Sequence, residues 1–360
     1  MMKKVFTLLF IIVLGFRLSA QIPAGYYNSA AGLYGLPLKT ALYNIIKGHT
    51  AVTYSPGVWN AYATTDVRTG NSIWDMYSDI PGSTPPYTYT YATNQCGTYT
   101  SEGDCYNREH SIPSSWFVDA DPMYTDLFHI YPTDGWVNNK RSNFPFADVG
   151  SATWTSLNGS KLGSCSDAGY TGTVFEPIDE YKGDFARSYF YMATRYENVI
   201  STWYANATEA NAVLSTNSGT VFETWYIDVL LAWSNNDPVS QKEIDRNNAV
   251  YLIQHNRNPY IDHPEWILSI WGPTAGIKTV EKTVTFNLYP VPASDFVFIN
   301  STKASIDKVE VYTTTSTLIH TYLNVGKSLT IDLSDYASGV YYTKIVSGNE
   351  VVQKKFIVVK

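Results

Sequence analysis

Leu38, Leu42, Ile45 and Ile46 recur at helical spacing, with Pro37 in the first turn and Gly48 as a stop, and so predict an amphipathic helix over residues 37–47. From 52 to 95 the chain is rich in Tyr, Thr, Ser, Gly and Pro, and Pro81-Gly82 and Pro85-Pro86 break any long element, so loops and short strands are expected there. The helical period returns after Pro177. Phe185, Tyr189, Met192, Tyr196 and Ile200 define a face across 183–204, and similar patterns cover 221–233 and 240–254. Past Gly272-Pro273-Thr274-Ala275-Gly276 the text becomes β-branched and aromatic in short runs, at 284–288, 296–300, 308–312, 328–333, 339–345 and 351–359. Runs of that length between turn residues predict a small sandwich. The expected fold class is therefore α+β: a helix-rich domain over 21–272, a linker over 273–283 and a β-sandwich over 284–360.

The chain opens with Met1-Met2-Lys3-Lys4, an apolar run over 5–16, and then Arg17-Leu18-Ser19-Ala20 before Gln21. A basic start, a run too short for a bilayer and a small residue at the cut predict a secretory signal peptide over 1–20. No later run approaches a spanning length, so no stable membrane insertion is expected. The formal charge of −7 means that a polyanionic ligand would need a local basic patch, for which Arg108, Lys140, Arg141, Lys182, Arg187, Arg195, Lys242, Arg246 and Arg257 are the candidates. Cysteines number three, and in an exported protein an odd count implies one bridge and a spare thiol. Cys96 and Cys105 enclose a turn-forming segment and are the natural pair, leaving Cys165 free. A cysteine zinc site is disfavoured, because no Cys-x-x-Cys spacing occurs.

Candidate chemistry concentrates in Asn107-Arg108-Glu109-His110-Ser111-Ile112-Pro113. Neighbours on an extended segment point to opposite sides, so Glu109 can hold a metal while His110 faces a nucleophilic water. A Glu-His pair alone is more often structural. The second segment, Asp126 to Phe144, adds to it: an expected strand over 126–131, a turn over 132–135 and a helix start carrying Asn138. Two strands and a helix bearing those three residues form a ββα-metal finger. One carboxylate, one amide oxygen and water would suit Mg²⁺, with Mn²⁺ or Ca²⁺ as alternatives.

Residues 107–117, 126–146, 175–177, 182–196 and 245–266, in that order, resemble the endonuclease I family of secreted bacterial nucleases within the His-Me finger superfamily. The resemblance covers most of residues 26–266. It implies that His110 is the general base, that Glu109 and Asn138 are metal ligands, and that the substrate is DNA, often RNA too, cut with little sequence preference to give 5′ phosphates. Two departures stand out. Many relatives have His-His where this chain has Phe128-His129, and some place a transition-state arginine in a stretch where residues 111–125 here hold no Arg or Lys. Arg187, slightly ahead of Arg141, is the expected source of that charge, and Arg108, Lys140 and Lys182 are expected to bind substrate. His129 is expected either to buttress the site or to be a core imidazole, and His263 to fix a loop.

The tail has its own resemblance. Asn287 to Asp295, Ile331-Asp332-Leu333-Ser334, Gly339-Val340-Tyr341-Tyr342 and Lys354-Lys355-Phe356-Ile357 are similar to a C-terminal sorting domain of the type IX secretion system. That resemblance implies the secretion machinery as a partner and delivery outside the cell, with a carbohydrate-binding sandwich as the alternative. The rival readings of the whole chain are a nuclease restricted to RNA and a secreted, non-catalytic polymer-binding or adhesive protein on the same fold.

Overall fold

The computed structural model describes residues 22–272, 286–301, 305–314, 317–348 and 350–360, and the chain divides into two compact units at Pro273/Thr274. The expected signal peptide and linker lie outside the described residues.

The first unit is built on helices α1 (Gly35–Ile46), α2 (Trp59–Thr65), α3 (Gly135–Arg141), α4 (Asp179–Arg195), α5 (Thr208–Val213), α6 (Thr224–Asn236), α7 (Gln241–Gln254), α8 (Pro259–Asp262) and α9 (Glu265–Trp271). Its strands are β1 (Val67–Arg68), β2 (Ser72–Ile73), β3 (Tyr106–His110), β4 (Ile130–Asp134), β5 (Val149–Thr155), β6 (Lys161–Cys165) and β7 (Thr173–Glu176). Helix α4 is the axis of the core. It is buried over nearly its whole length, and α1, α6 and α8 pack against it. It starts before the expected Gly183 because Asp179 and Glu180 place negative charge at its amino end, where the helix dipole favours it. It ends at Arg195, and a separate 3₁₀ turn, Ile200–Ala205, follows. Ser240 and Glu243 close a capping box on α7, which satisfies two otherwise orphaned amides and fixes its start one residue after the serine. The segment expected to be loops and short strands also contains α2, whose seven residues are too few to establish a period.

Strands β3 and β4 pair antiparallel with Glu109 opposite Tyr131 and His110 opposite Ile130. The second strand lies downstream of the expected 126–131. Asp126 accepts the Phe128 amide through its side chain, and the His129 amide bonds to its carbonyl, so residues 126–129 close a turn. The expected turn at 132–135 is likewise strand up to Asp134, whose side chain accepts the Val137 amide at 2.7 Å and caps α3 directly. Pro132 is tolerated because β4 is an edge strand of a two-stranded sheet.

The second unit is all β: β8 (Phe286–Tyr289), β9 (Phe296–Ser301), β10 (Ile306–Thr313), β11 (Leu318–Gly326), β12 (Ser328–Asp332), β13 (Gly339–Ser347) and β14 (Glu350–Val358). The sheets run β11-β10-β13-β14 and β12-β9-β8 and share a core that includes Val297, Ile299, Val309, Val311, Ile331, Ile345 and Phe356. Strand β11 was not among the six expected runs. It is an edge strand with Leu318, Ile319 and Leu323 exposed, so it lacks a buried apolar alternation.

Candidate active site

Strand β3 supplies both the carboxylate and the imidazole. Its amino end is tied down by the Cys96–Cys105 disulfide, with Cα atoms 5.8 Å apart. In the chain-entropy picture so short a loop contributes a little under ~3 kcal/mol. Cys165 is free, as expected. Alternation along β3 then sends Asn107 and Glu109 to one side and Arg108 and His110 to the other.

Glu109 is 1% exposed. Its Oε1 accepts the Tyr77 hydroxyl at 2.9 Å and lies 3.0 Å from Arg141 Nη1. Burial pushes its pKa up to about 7, against the pull of the guanidinium and the tyrosine hydrogen bond. Both partners fall on Oε1, so Oε2 keeps its acceptor capacity among the described residues. Asn138, on α3, donates through Nδ2 to Asn107 Oδ1 at 2.8 Å and to the Arg108 carbonyl at 3.4 Å. Spending both nitrogen bonds on β3 orients the amide and leaves Oδ1 without a donor among the described residues. One carboxylate oxygen and one amide oxygen are thus available on adjoining elements, a hard-oxygen pair that fits Mg²⁺ or a similar cation completed by water. Among the described residues no three His, Cys, Asp or Glu side chains gather into a metal-binding cluster.

His110 lies against Tyr124, ring centroids 5.1 Å apart, and its Nε2 is 3.1 Å from the Tyr124 carbonyl. A carbonyl can only accept, so the proton sits on Nε2 and the basic lone pair on Nδ1. Burial, with smaller contributions from His129 and the arginines at 108 and 141, pushes its pKa down to about 3, so the ring is neutral at physiological pH. His129 is treated in the same way by the same turn: Nε2 donates to the Met123 carbonyl at 2.7 Å, and burial lowers its pKa to about 4. Its ring is 5.4 Å from that of His110, so it packs behind the base. His263 stacks on Trp266 at 4.0 Å, close to Glu265, in the loop where it was expected.

The expected cations separate sharply. Arg187 does not join Glu109, His110 or Asn138. Its guanidinium is 1% exposed, held by both carboxylate oxygens of Glu243 at 2.5 and 2.8 Å and by the Asp237 carbonyl, so it is a bidentate tie between α4 and α7. Lys182 is likewise consumed, with Asp148, Glu176 and Asp179 each at 2.8 Å. Neither offers an open charge to substrate. Arg141 does reach the site, but at 1% exposure it serves Glu109 and the carbonyls of His110 and Ser111. Lys140 lies over the Trp136 ring at 4.8 Å.

Arg108 differs from all of these. Its guanidinium lies 3.5 Å from the Tyr54 ring centroid and 4.4 Å from that of Trp59, and Nη1 donates to the Tyr54 carbonyl. Among the described residues it has no carboxylate partner. Sequence reasoning missed Tyr54, Trp59, Tyr77 and Tyr124 as site residues. They arrive from loops and a short helix far along the chain, and in a tyrosine-rich sequence nothing local distinguishes them.

The comparisons with known proteins place the chain among nucleases. The chain is 39% identical over 251 residues to an extracellular ribonuclease of Bacillus amyloliquefaciens, covering 68% of this chain and 78% of that one, and 38% identical over the same length to the extracellular ribonuclease of Bacillus subtilis. It is also 31% identical over 138 residues to endonuclease-1 of Buchnera aphidicola, covering 38% of this chain and 46% of the relative. The family model for a secretion system C-terminal sorting domain matches residues 287–359, which marks the chain for secretion. The family model for Endonuclease I matches residues 35–265, the stretch that holds the ββα unit and the helical core behind it, and the chain therefore belongs to the Endonuclease I family of hydrolytic nucleases.

Proposed function

We propose that this secreted nuclease is a metal-dependent endonuclease acting on DNA and RNA with little sequence preference and leaving 5′ phosphates. The observation that carries the reading is the neutral His110, locked by the Tyr124 carbonyl with Nδ1 open, on the same strand as a carboxylate that shares its surroundings with the Asn138 amide. His110 Nδ1 takes a proton from a water as that water's oxygen bonds to phosphorus, the bond from phosphorus to the 3′ oxygen breaks, and the departing oxygen is protonated from solvent. Glu109 and Asn138 would hold a divalent ion, which would supply Lewis-acid stabilisation of the charge that develops on the phosphoryl and 3′ oxygens. Arg141 acts at one remove, offsetting part of the cost of ionising the buried Glu109 and holding it in place. With Arg187 and Lys182 neutralised by carboxylates, Arg108 is the cation best placed to meet a phosphate, since it stands two residues from the base on the same side of β3. The relatives' names, ribonuclease and endonuclease, support a substrate range spanning both nucleic acids.

The test is nicking rate against Mg²⁺ concentration for three variants. His110→Ala should lose roughly 10²–10⁴ in rate and gain nothing from added metal. Glu109→Gln and Asn138→Ala should bind metal more weakly and recover part of their rate in excess Mg²⁺, by mass action. Recovery of the His110 variant by metal, or cutting by it at the parental rate, would overturn the assignment.

A further inference from the structure

A cavity of about 430 Å³ is walled by Tyr54, Trp59, Gln95, the Cys96-Gly97 segment, Asn107 and Arg108, and its Tyr54 wall lies 6.0 Å from the ring of the proposed base His110. Its composition is specific. Two aromatic rings hold the Arg108 guanidinium, and a single donation from Nη1 to the Tyr54 carbonyl leaves its other N–H groups for a ligand. Two primary amides, from Gln95 and Asn107, add donors and acceptors, and Asn107 is itself bonded to Asn138 of the proposed metal site. The fourth wall is the disulfide-tied segment, where a Cβ built on Gly97 meets nothing within 4 Å.

We propose that this cavity is a subsite for one unpaired nucleobase of the substrate strand, next to the bond being cut. The Gln95 and Asn107 amides match the hydrogen-bonding edge of a base, the Trp59 ring offers an aromatic wall, the Arg108 guanidinium is left for the adjoining phosphate, and the volume lies within the range of small-ligand sites. A base within a duplex has its edge already paired and its faces already stacked, so it enters only by flipping out against that pairing and stacking. The charge pattern points the same way. Of the thirteen lysines and arginines in residues 22–272, eight form ion pairs with carboxylates, and Lys39 is buried on backbone carbonyls. Duplex binding draws its affinity from many phosphate contacts, which so few open cations cannot supply, whereas a single strand gains from each base it docks. The subsite therefore selects single-stranded RNA or DNA over duplex.

This inference rests on the nuclease reading and deepens it, and the experiment separates the two. Gly97→Leu in the full chain grows a side chain into the cavity without removing any polar group from it. Cleavage of a short single-stranded oligonucleotide, a duplex of the same sequence, and single-stranded versions with one abasic nucleotide at each position in turn would be measured for parent and variant. In the parent, one abasic position beside the cut should lower kcat/KM by roughly 5–150-fold, the stacking contribution of a base. Gly97→Leu should lower kcat/KM on the intact single strand by a similar factor, abolish the extra cost of that abasic position, and reduce the parent's preference for single strand over duplex. Gly97→Ser, which adds little bulk, should retain most of the preference and the abasic penalty, so general disturbance of the segment is distinguishable from blockage. A flat abasic scan in an active parent, or an abasic penalty unchanged by Gly97→Leu, would overturn the subsite while leaving the nuclease reading intact. A parent that cuts none of these substrates would overturn both.

Discussion

Replacing Arg141 by Met tests whether that residue is a positioning ion or a transition-state cation. In the native protein its guanidinium is 3.0 Å from Glu109 Oε1 and donates to the carbonyls of His110 and Ser111, and both side chains of the pair are 1% exposed. Removing one partner of a buried pair strands the other, at roughly 3–5 kcal/mol. For a domain of this size that lowers Tm by on the order of 10 °C. The pH dependence fixes the cause. Glu109 already titrates at about 7 because burial outweighs the pull of Arg141, and without the guanidinium its folded pKa rises further. An acid whose folded pKa exceeds its unfolded value destabilises only where it must ionise. The Glu109 part of the penalty is therefore absent below about pH 7, where the carboxyl is protonated in both folded proteins, and grows as the pH rises beyond it, while the loss of the carbonyl hydrogen bonds contributes at every pH. Urea melts of parent and Arg141→Met between pH 4 and 9 measure this directly. The double variant Arg141→Met with Glu109→Gln should recover a large share of the loss at pH 8, because no charge remains to be stranded. A penalty below about 1 kcal/mol with a large fall in kcat, or a penalty independent of pH, would refute the positioning role and restore Arg141 as a cation that acts on the substrate.

Three further outcomes are expected. Asp75, fully buried beside Asp134, has its pKa raised to about 8 by desolvation and by that neighbour, so it adds a loss of stability that sets in above its unfolded value of 3.8 and is complete near pH 8. Urea melts of Asp75→Asn against parent across that range should show the parent falling more steeply, and parallel curves would refute this. Cys165, half-buried with its thiol pushed up to about 11 by burial, should label with iodoacetamide at pH 8 at least about tenfold more slowly in the native protein than in urea, and equal rates would show an activated thiol instead. A chain ending at Gly276 should fold and keep its activity on plasmid DNA, because the two units have separate cores; a soluble, folded but inactive truncation would assign the β unit a part in catalysis.

How far the sequence reached depended on whether a feature is local. Helical periods placed α1, α6 and α7 within a few residues, since an apolar face must repeat along its own chain, and the acidic first turn of α4 and the capping box of α7 lie in the same segments. The close spacing of Cys96 and Cys105 set their pairing. Residue types proposed Glu109 and His110 as a pair, and their roles together with Asn138 came from the resemblance of the two segments to the endonuclease I family. The register of β4 was not local. Asp126 is drawn into a turn by Tyr191 and Tyr196 of the α4 region, whose hydroxyls it accepts at 2.8 Å, and that long-range pull shifted the strand downstream. The pairing of Arg187 was hidden for the same reason: its charge is cancelled by Glu243, 56 residues away, and no sequence pattern reports an ion pair across helices. Sequence supplies the inventory of ionisable groups and the short-range geometry of each element. Which charges remain open to a substrate, which imidazole is held by which carbonyl, and which rings from distant loops wall a cavity are decided when the core closes, because burial and pairing belong to the packed chain and to no residue alone.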